Sequence, residues 1–534
     1  MKIAIVCVED GLMAVGTRKI AAYMKHLNPD TSSYYVTLTN ARGLTNILLG
    51  KHGEAVDSFQ EFLHGIAEPL TKADLICFSS MTAYAKLTAE IIAKVRELKP
   101  DAYIVWGGIH PIIVPEDAIK HADAVCTGEG EFAFETFFEK YKNGEDYTKT
   151  GNFWFRKGEE IIQNDFLPLM TSEEMGKLPL LHYGENEQIF DIEKGFRAMC
   201  DDDYLEYNGL SYNTVWSIGC PFKCTYCGNT KFIENDETYR KIRHSSVEYI
   251  LDEIEHALKM HPFISSICFH DDSFLALKPD TLREFATKYK ARFDTPFAIF
   301  GVIPNYVREE KIEILLEAGM NRVRMGLQNG SARILEFYDR PTPPKIMNHA
   351  AGVLRKYRRY MIPPAYDVIL DNPIETKEDV VENLVFLKNL ARPFTLNIFS
   401  LRSIPNTILE KQMKERDISI DKIAGNYAHN APTLVNCLIY IIAAIPIPNW
   451  LLNFVVKRAH PVTAEQTHYP RLLLFTRFIY LVKRALDHLL VMDFSVLTGK
   501  TGYVMWKLGV IKYWRRFFVP EFRPDKGSSG QKSS

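Results

Sequence analysis

Twice along this chain, short apolar runs alternate with segments of helical periodicity, and that alternation restricts the fold more than any other feature. In the first 145 residues the runs are KIAIVCV (2–8), YYVTLT (34–39), ADLICFSS (73–80), AYIVWGG (102–108) and ADAVCTG (122–128). Between them lie segments such as AYAKLTAEIIAKVRELKP (83–100), whose apolar residues recur at three and four. A strand that is apolar on both faces must be covered on both faces, so residues 1–145 are expected to form a doubly wound, Rossmann-like parallel sheet. Ligands of such sheets sit at the carboxyl ends of the strands. Here those ends read SSMTAY, GGIHP and TGEGE, which are small or polar.

The alternation resumes on a longer scale in TVWSIGC (214–220), SSICFHDDSF (265–274), FAIFGVI (297–303), RVRMGLQ (322–328), YDVILD (366–371) and TLNIFSL (395–401). Six strand–helix units predict an open, partial (β/α)6 barrel of the TIM type over 211–415, with reactive groups at the carboxyl ends of its strands. Residues 146–210 read as a connector, with a hairpin around Lys157-Gly158. Residues 416–534 read as a helical C-terminal region. The fold class is therefore α/β.

A net charge of −2 on 534 residues gives no reason to expect a nucleic-acid partner. Outside one cluster the nine cysteines are scattered, which suits a reducing, cytoplasmic compartment. Glu9 and Asp10 interrupt the N-terminal apolar run, which reads as a buried strand and not as a signal peptide. Charge is uneven, however. From Ala431 onward there are 14 Lys/Arg against 5 Asp/Glu, interleaved with aromatics in RLLLFTRFIYLVKRALDHLLVM (471–492) and YVMWKLGVIKYWRRFF (503–518). The apolar run Leu434–Ile447 is shorter than the roughly 20 residues a membrane-spanning helix needs. Two roles suit this region: a peripheral contact with the inner face of a membrane, and a helical cap over the open side of the barrel.

The stretch SIGCPFKCTYCGN (217–229) places Cys220, Cys224 and Cys227 within one short loop. Three thiolates are one short of a structural zinc site, which would need a distant fourth ligand such as Cys200 or His270. They are the right number for a four-iron cluster with one iron left open.

With this triplet after the first barrel strand, residues 211–415 resemble the radical S-adenosylmethionine (SAM) domain. The whole chain resembles the branch of that family which carries a preceding cobalamin-binding domain and includes methylases and the magnesium-protoporphyrin cyclase. The resemblance implies a [4Fe-4S] cluster on the three cysteines, and SAM on the open iron as source of a 5′-deoxyadenosyl radical. Matched one at a time, it implies SAM contacts from Tyr226, from Asp271 or Asp272 in FHDDSF, from Gln328 in GLQNGS, and from Asn372 and Pro373 in DNPIET. Gln328 stands where the family usually has a glutamate. For cobalamin it implies Ser79, Ser80 and Thr82 after the third strand, Gly107, Gly108 and His110 after the fourth, and Gly128, Glu129 and Gly130 after the fifth. The first loop, VEDGLMAVG, lacks the histidine that often ligates cobalt, so Met81, Thr82 and Tyr84 are expected to cover the lower face. A degenerate domain that binds nothing is the alternative. His110 is expected to hydrogen-bond the nucleotide tail.

The implied activity is radical methylation of an unactivated carbon in an apolar lipid, terpenoid or tetrapyrrole-like molecule, with a flavodoxin or ferredoxin as reductant. The alternatives are an oxidative cyclase without methyl transfer and, more distantly, a non-catalytic cobalamin or cluster sensor. No residue of the sequence stands out as the catalytic one.

Overall fold

The computed structural model describes residues 1–9, 11–37, 59–181, 186–418, 433–457, 470–491 and 500–523. Nine strands form the first sheet: β1 (Ile3–Val8), β2 (Thr31–Val36), β3 (Leu75–Ser80), β4 (Tyr103–Gly107), β5 (Ala124–Cys126), β6 (Phe153–Lys157), β7 (Glu160–Gln163), β8 (Glu187–Asp191) and β9 (Gly195–Ala198). Their order is β7-β6-β5-β4-β3-β1-β2-β8-β9. The centre, β5-β4-β3-β1-β2, is parallel throughout. Its order is that of the doubly wound sheets whose ligands sit where β1 and β3 diverge. Every residue of β1 is buried, because α1 (Val15–Leu27) and α4 (Glu131–Asn143) cover one face while α2 (Phe59–Leu70) and α3 (Ala85–Leu98) cover the other.

The stretch read as a connector supplies four of these strands. The hairpin β6–β7 pairs antiparallel with β5, and β8–β9 closes the other edge on β2. Both edges of the parallel sheet are thereby covered. Of the run 34–39, residues 38 and 39 lie outside the described residues, and the strand begins earlier, at Thr31.

The second sheet has six strands in sequence order: β10 (Ser211–Thr214), β13 (Ser266–Phe269), β14 (Phe297–Val302), β15 (Met320–Gln328), β16 (Ala365–Leu370) and β17 (Thr395–Ser400). All its pairings are parallel. Five helices alternate with these strands on the outside: α5 (Val247–Met260), α6 (Pro279–Arg292), α7 (Glu309–Glu317), α8 (Pro344–Lys356) and α9 (Lys377–Asn389). This is the open barrel expected. Its first strand differs from the sequence reading. The apolar stretch Val215–Trp216 looks like strand, but Trp216 is a loop residue buried against Phe285 at 5.0 Å, its indole donating to the Ser245 carbonyl. The barrel strand is the more polar SYNT before it. Ser217–Ile218 (β11) instead pairs antiparallel with Arg243–His244 (β12).

The C-terminal helices are α10 (Leu434–Ala444), α11 (Asn449–Val456), α12 (Pro470–Val491), α13 (Lys500–Lys507) and α14 (Val510–Phe518). α10 packs on β17, α9 and α12, and its apolar side joins the barrel core through Leu434, Ile439 and Ile442. The capping role falls to this helix. Among the described residues no helix is long and apolar enough to cross a membrane.

Candidate functional site: two strand-end faces in contact

The carboxyl ends of the two sheets face each other. Glu129, just after β5, accepts from Arg243 Nη2 at 2.7 Å, and the same guanidinium donates to the Met170 carbonyl at 2.7 Å. Asn406, after β17, donates to the Ile113 carbonyl at 2.8 Å. Lys19 of α1 reaches the Val215 carbonyl, after β10, at 3.5 Å. The cysteine loop itself touches the first domain: a methyl group on Gly228 would meet Ile113 at 3.5 Å. Each of these contacts joins a loop beyond a strand end to the opposite domain.

On the barrel side the loop enters at Gly219, whose φ of 113° and tight approach leave no room for a side chain. A Cβ there would lie 2.6 Å from the Lys241 carbonyl oxygen. Each sulfur then receives a donor. Cys220 accepts from Ser273 Oγ at 3.4 Å and from the Phe222 N–H. Cys224 accepts from Arg340 Nη1 at 3.6 Å, and Cys227 from the Asn229 N–H. Burial pushes the Cys227 thiol up to about 12 and raises Cys220 as well. Thiols that resist ionisation on their own, yet are ringed by donors, suit ligation by a cationic cluster.

The proposed fourth zinc ligands are engaged elsewhere. Cys200 lies 3.2 Å from Asp203 Oδ2, and His270 Nε2 lies 2.9 Å from Asn213 Oδ1. Among the described residues no three His, Cys, Asp or Glu side chains converge to hold a single metal ion.

The two aspartates of FHDDSF divide. Asp271 is buried and accepts from the N–H groups of Trp216 (3.0 Å) and Ser217 (2.7 Å) and from the Ser217 hydroxyl. Its carboxylate pins the chain before the cysteine loop and has no reach for a ligand. Asp272 takes a hydrogen bond from the Tyr239 hydroxyl at 3.3 Å and another from the Asn229 side chain. It is exposed, and desolvation raises its pKa. Of the pair, Asp272 is the carboxylate beside the cysteines.

Arg340, absent from the sequence reading, is buried at the centre of the site. Besides Cys224 it donates to the Gly326 carbonyl at 2.6 Å and lies 3.4 Å from the Tyr226 hydroxyl. Tyr226 packs edge-on against Tyr338 at 4.9 Å. Gln328 ends β15 in a left-handed conformation, φ 71°, and is half-buried. Asn372 is a buried turn residue that donates to Tyr338 Oη at 3.2 Å and accepts from the Ile374 N–H at 3.1 Å, so its side chain is spent on the protein. Pro373 beside it is half-buried. The turns after β15 and β16 are tied together by Asn329 donating to Glu375 at 2.8 Å. Burial pushes the Glu375 carboxyl up to about 8.

The inner wall of the barrel mixes polar groups with aromatic rings. Arg324 donates through Nε to both oxygens of Asp367, at 2.9 and 2.8 Å, between the rings of Phe300 and Phe399. Among the described residues its Nη groups have no hydrogen-bond partner. Nearby His270 is pushed down to about 4, first by burial and then by Arg324, and is neutral.

The opposite face is built differently. Ser79 bonds Thr17 at 2.8 Å, and Ser80 is buried under the Trp106 indole, accepting at 3.0 Å. The glycines are small for internal reasons. A Cβ on Gly108 would lie 2.9 Å from Ser79 Oγ, one on Gly128 2.6 Å from Asn152, and one on Gly130 3.0 Å from Ile20. Gly107 has ordinary contacts. His110 is 3% exposed, with its ring 5.1 Å from Trp106 and its Nε2 3.4 Å from Asp117 Oδ2, and among the described residues neither ring nitrogen has a hydrogen-bond partner. Exposed there is Met81, followed by the half-buried 3-10 turn Thr82–Tyr84; Glu9 is also half-buried, and burial raises its carboxyl to about 7. Thr82 Oγ1 is buried without a partner. An open sheet with the right switch point, an outward methionine and an orphaned hydroxyl fits a large planar cofactor.

The Radical SAM superfamily model matches residues 214–387, and the B12 binding domain model matches residues 37–138. The chain is a cobalamin-dependent radical SAM enzyme, with a [4Fe-4S] cluster, SAM and cobalamin as its cofactors. It is 23% identical to an uncharacterized methyltransferase of Pyrococcus horikoshii over 62% of this chain and 70% of that one. It is 25% identical to the anaerobic magnesium-protoporphyrin IX monomethyl ester cyclase of Synechocystis, over 35% of this chain and 34% of the cyclase. The structure of the cobalamin-dependent SAM radical enzyme OxsB superposes with a TM-score of 0.62 at 13% identity, covering 98% of this chain and 85% of that one.

Proposed function

We propose that this enzyme methylates an unactivated carbon of an apolar substrate held between the two strand-end faces. The observation that carries the reading is the contact of the cysteine loop with the loop after β4, which leaves no intervening layer between a cluster site and a cobalamin face. When bound, the cluster with SAM supplies a hydrogen-abstracting radical, and cobalamin supplies a methyl group.

The chain's own residues divide the remaining work. Cys220, Cys224 and Cys227 hold three irons. Asp272, oriented by Tyr239, takes the amino group of SAM, and Gln328 takes ribose hydroxyls. Arg340 stabilises negative charge on the Cys224 sulfur. Met81 and Thr82 are the residues that would hold the corrin. Phe300 and Phe399 give the substrate an apolar wall, and Arg324 offers its free N–H groups to a polar or anionic end. A lipid, terpenoid or tetrapyrrole-like molecule meets both demands. A small electron-transfer protein such as flavodoxin or ferredoxin supplies the electron.

The test is anaerobic turnover with SAM carrying a CD3 group, on a lipid extract of cells that lack the gene. Methyl transfer predicts a product three deuterium atoms heavier in its methyl group, with both 5′-deoxyadenosine and S-adenosylhomocysteine formed. 5′-Deoxyadenosine with an unlabelled, ring-closed product would replace this reading by the cyclase one.

A further inference from the structure

We propose that α12 is a membrane-docking helix that lies flat on an anionic bilayer surface, with its outward stripe sunk among the lipid chains. The inference rests on the surface of the C-terminal helices. It deepens the apolar-substrate reading without depending on methyl transfer.

The two sides of α12 differ sharply. On one, Thr476 is 3% exposed and Tyr480 packs edge-on against Tyr440 of α10 at 4.8 Å, anchoring the helix to the barrel cap. On the other, Leu474, Phe475, Phe478, Val482 and Leu486 are between 43% and 72% exposed. At about 100° per residue these five fall within an arc of roughly 120°. Surface leucines occurring singly need no explanation, but a contiguous apolar stripe along one helix marks an interaction site. α14 repeats the pattern: Ile511 is buried, while Tyr513 and Phe517, one turn apart, are 75% and 81% exposed.

Charge selects the partner. On the same helical wheel Arg471 falls within the arc of the α12 stripe, Arg477 about 60° outside one edge and Lys483 about 60° outside the other, while Arg484, further round, donates to the Tyr480 hydroxyl at 2.9 Å. That is the arrangement in which apolar side chains enter the acyl region and cationic heads stay with the lipid phosphates. A second copy of the chain fits poorly, since a twofold contact through the stripe would set these cations against their own counterparts. Crossing the membrane is excluded for the described helices by their length and polarity, so α12 lies on the surface.

Flotation of the anaerobically purified full-length protein with vesicles of phosphatidylcholine and phosphatidylglycerol tests this directly. The native chain floats at low salt; raising salt reduces the bound fraction several-fold without abolishing it, because only the ionic part is screened. Vesicles of phosphatidylcholine alone bind less. The double variant Leu474→Ser/Phe478→Ser alters only exposed positions and lowers partition by more than tenfold, with iron content and monomer mass unchanged. The separate variant Arg471→Glu lowers partition chiefly at low salt. Absence of flotation at low salt overturns the proposal, as does undiminished flotation of the double variant. A native dimer that the double variant dissociates would reassign the stripe to a protein interface. All three readouts are independent of turnover, so loss of methyl transfer in the labelled-SAM experiment leaves this result standing.

Discussion

The barrel face and the strand-end face of the first domain are in contact, yet they are built on opposite plans. Around the cysteines nearly every polar group is committed: Asp271 holds three donors, Asn372 two partners, and Arg340 bridges a carbonyl, a tyrosine and a sulfur. On the first domain the strand-end glycines and serines are absorbed by the domain's own packing, and few side chains are left pointing outward. A cluster fixed by covalent bonds needs ligands held rigidly in place, so its surroundings are densely cross-braced. A broad planar cofactor can be held by shape, and a flat sheet edge with a methionine and a hydroxyl suffices.

The largest effect expected from breaking this difference is on the cysteines. Changing any one of Cys220, Cys224 or Cys227 to alanine should abolish iron binding on anaerobic reconstitution, where the native chain takes up about four irons. Tightly bound stoichiometric zinc in the native protein, without iron absorbance, would contradict the cluster assignment.

Next is Glu375, the buried carboxyl that braces two turns of the barrel face. Its folded pKa of about 8 stands above its ordinary value of 4.5. A carboxyl raised by folding keeps its proton in the native state while the unfolded chain ionises. It therefore costs stability increasingly as pH rises from about 4.5 to about 8. Glu375→Gln keeps the acceptor for Asn329 and cannot titrate. The variant should gain relative to the native chain across that window, by on the order of 3 kcal/mol at pH 7. Thermal melts at pH 5 and pH 8 check this, and a difference that does not grow with pH would show that the carboxyl is ionised in the fold.

Arg340→Met should remove a charged donor to a cluster sulfur. A hydrogen bond to a charged group contributes about 1.5–3 kcal/mol, which for one electron is a potential lower by roughly 60–130 mV. Redox titration followed by electron paramagnetic resonance reads this while the iron content stays constant. An unchanged potential would make the arginine a packing residue. The smallest effect is a null signal on the opposite face. With His110 buried and no histidine among Glu9–Gly16, cob(II)alamin bound to the protein should show no nitrogen superhyperfine splitting.

The same contrast explains what could be read in the chain. The cysteine triplet, the two sheets and the open barrel were legible because they are written locally, in spacing and in apolar runs. Arg340 was not: it meets Cys224 across 116 residues of sequence, and only folding brings them together. Adjacent Asp271 and Asp272 could not be told apart, since which one turns inward is decided by pairing with the Trp216–Ser217 backbone. The glycines of the first domain announced close approach, but the sequence does not say to what, and the neighbours are Ser79, Asn152 and Ile20. Val215 and Trp216 misled because a buried loop carries the same apolar signal as a strand. The apolar C-terminal runs concealed two uses, a cap in α10 and an outward stripe in α12.

The central claim is that the two faces enclose one active site. Electron paramagnetic resonance of the full-length protein, holding both cob(II)alamin and the reduced cluster, tests it most directly. Facing sites predict that each signal is broadened and relaxes faster when the other centre is paramagnetic, and that the Cys224→Ala variant, loaded with cobalamin alone, returns the unperturbed cobalt spectrum. Two spectra that add without interaction would contradict the account.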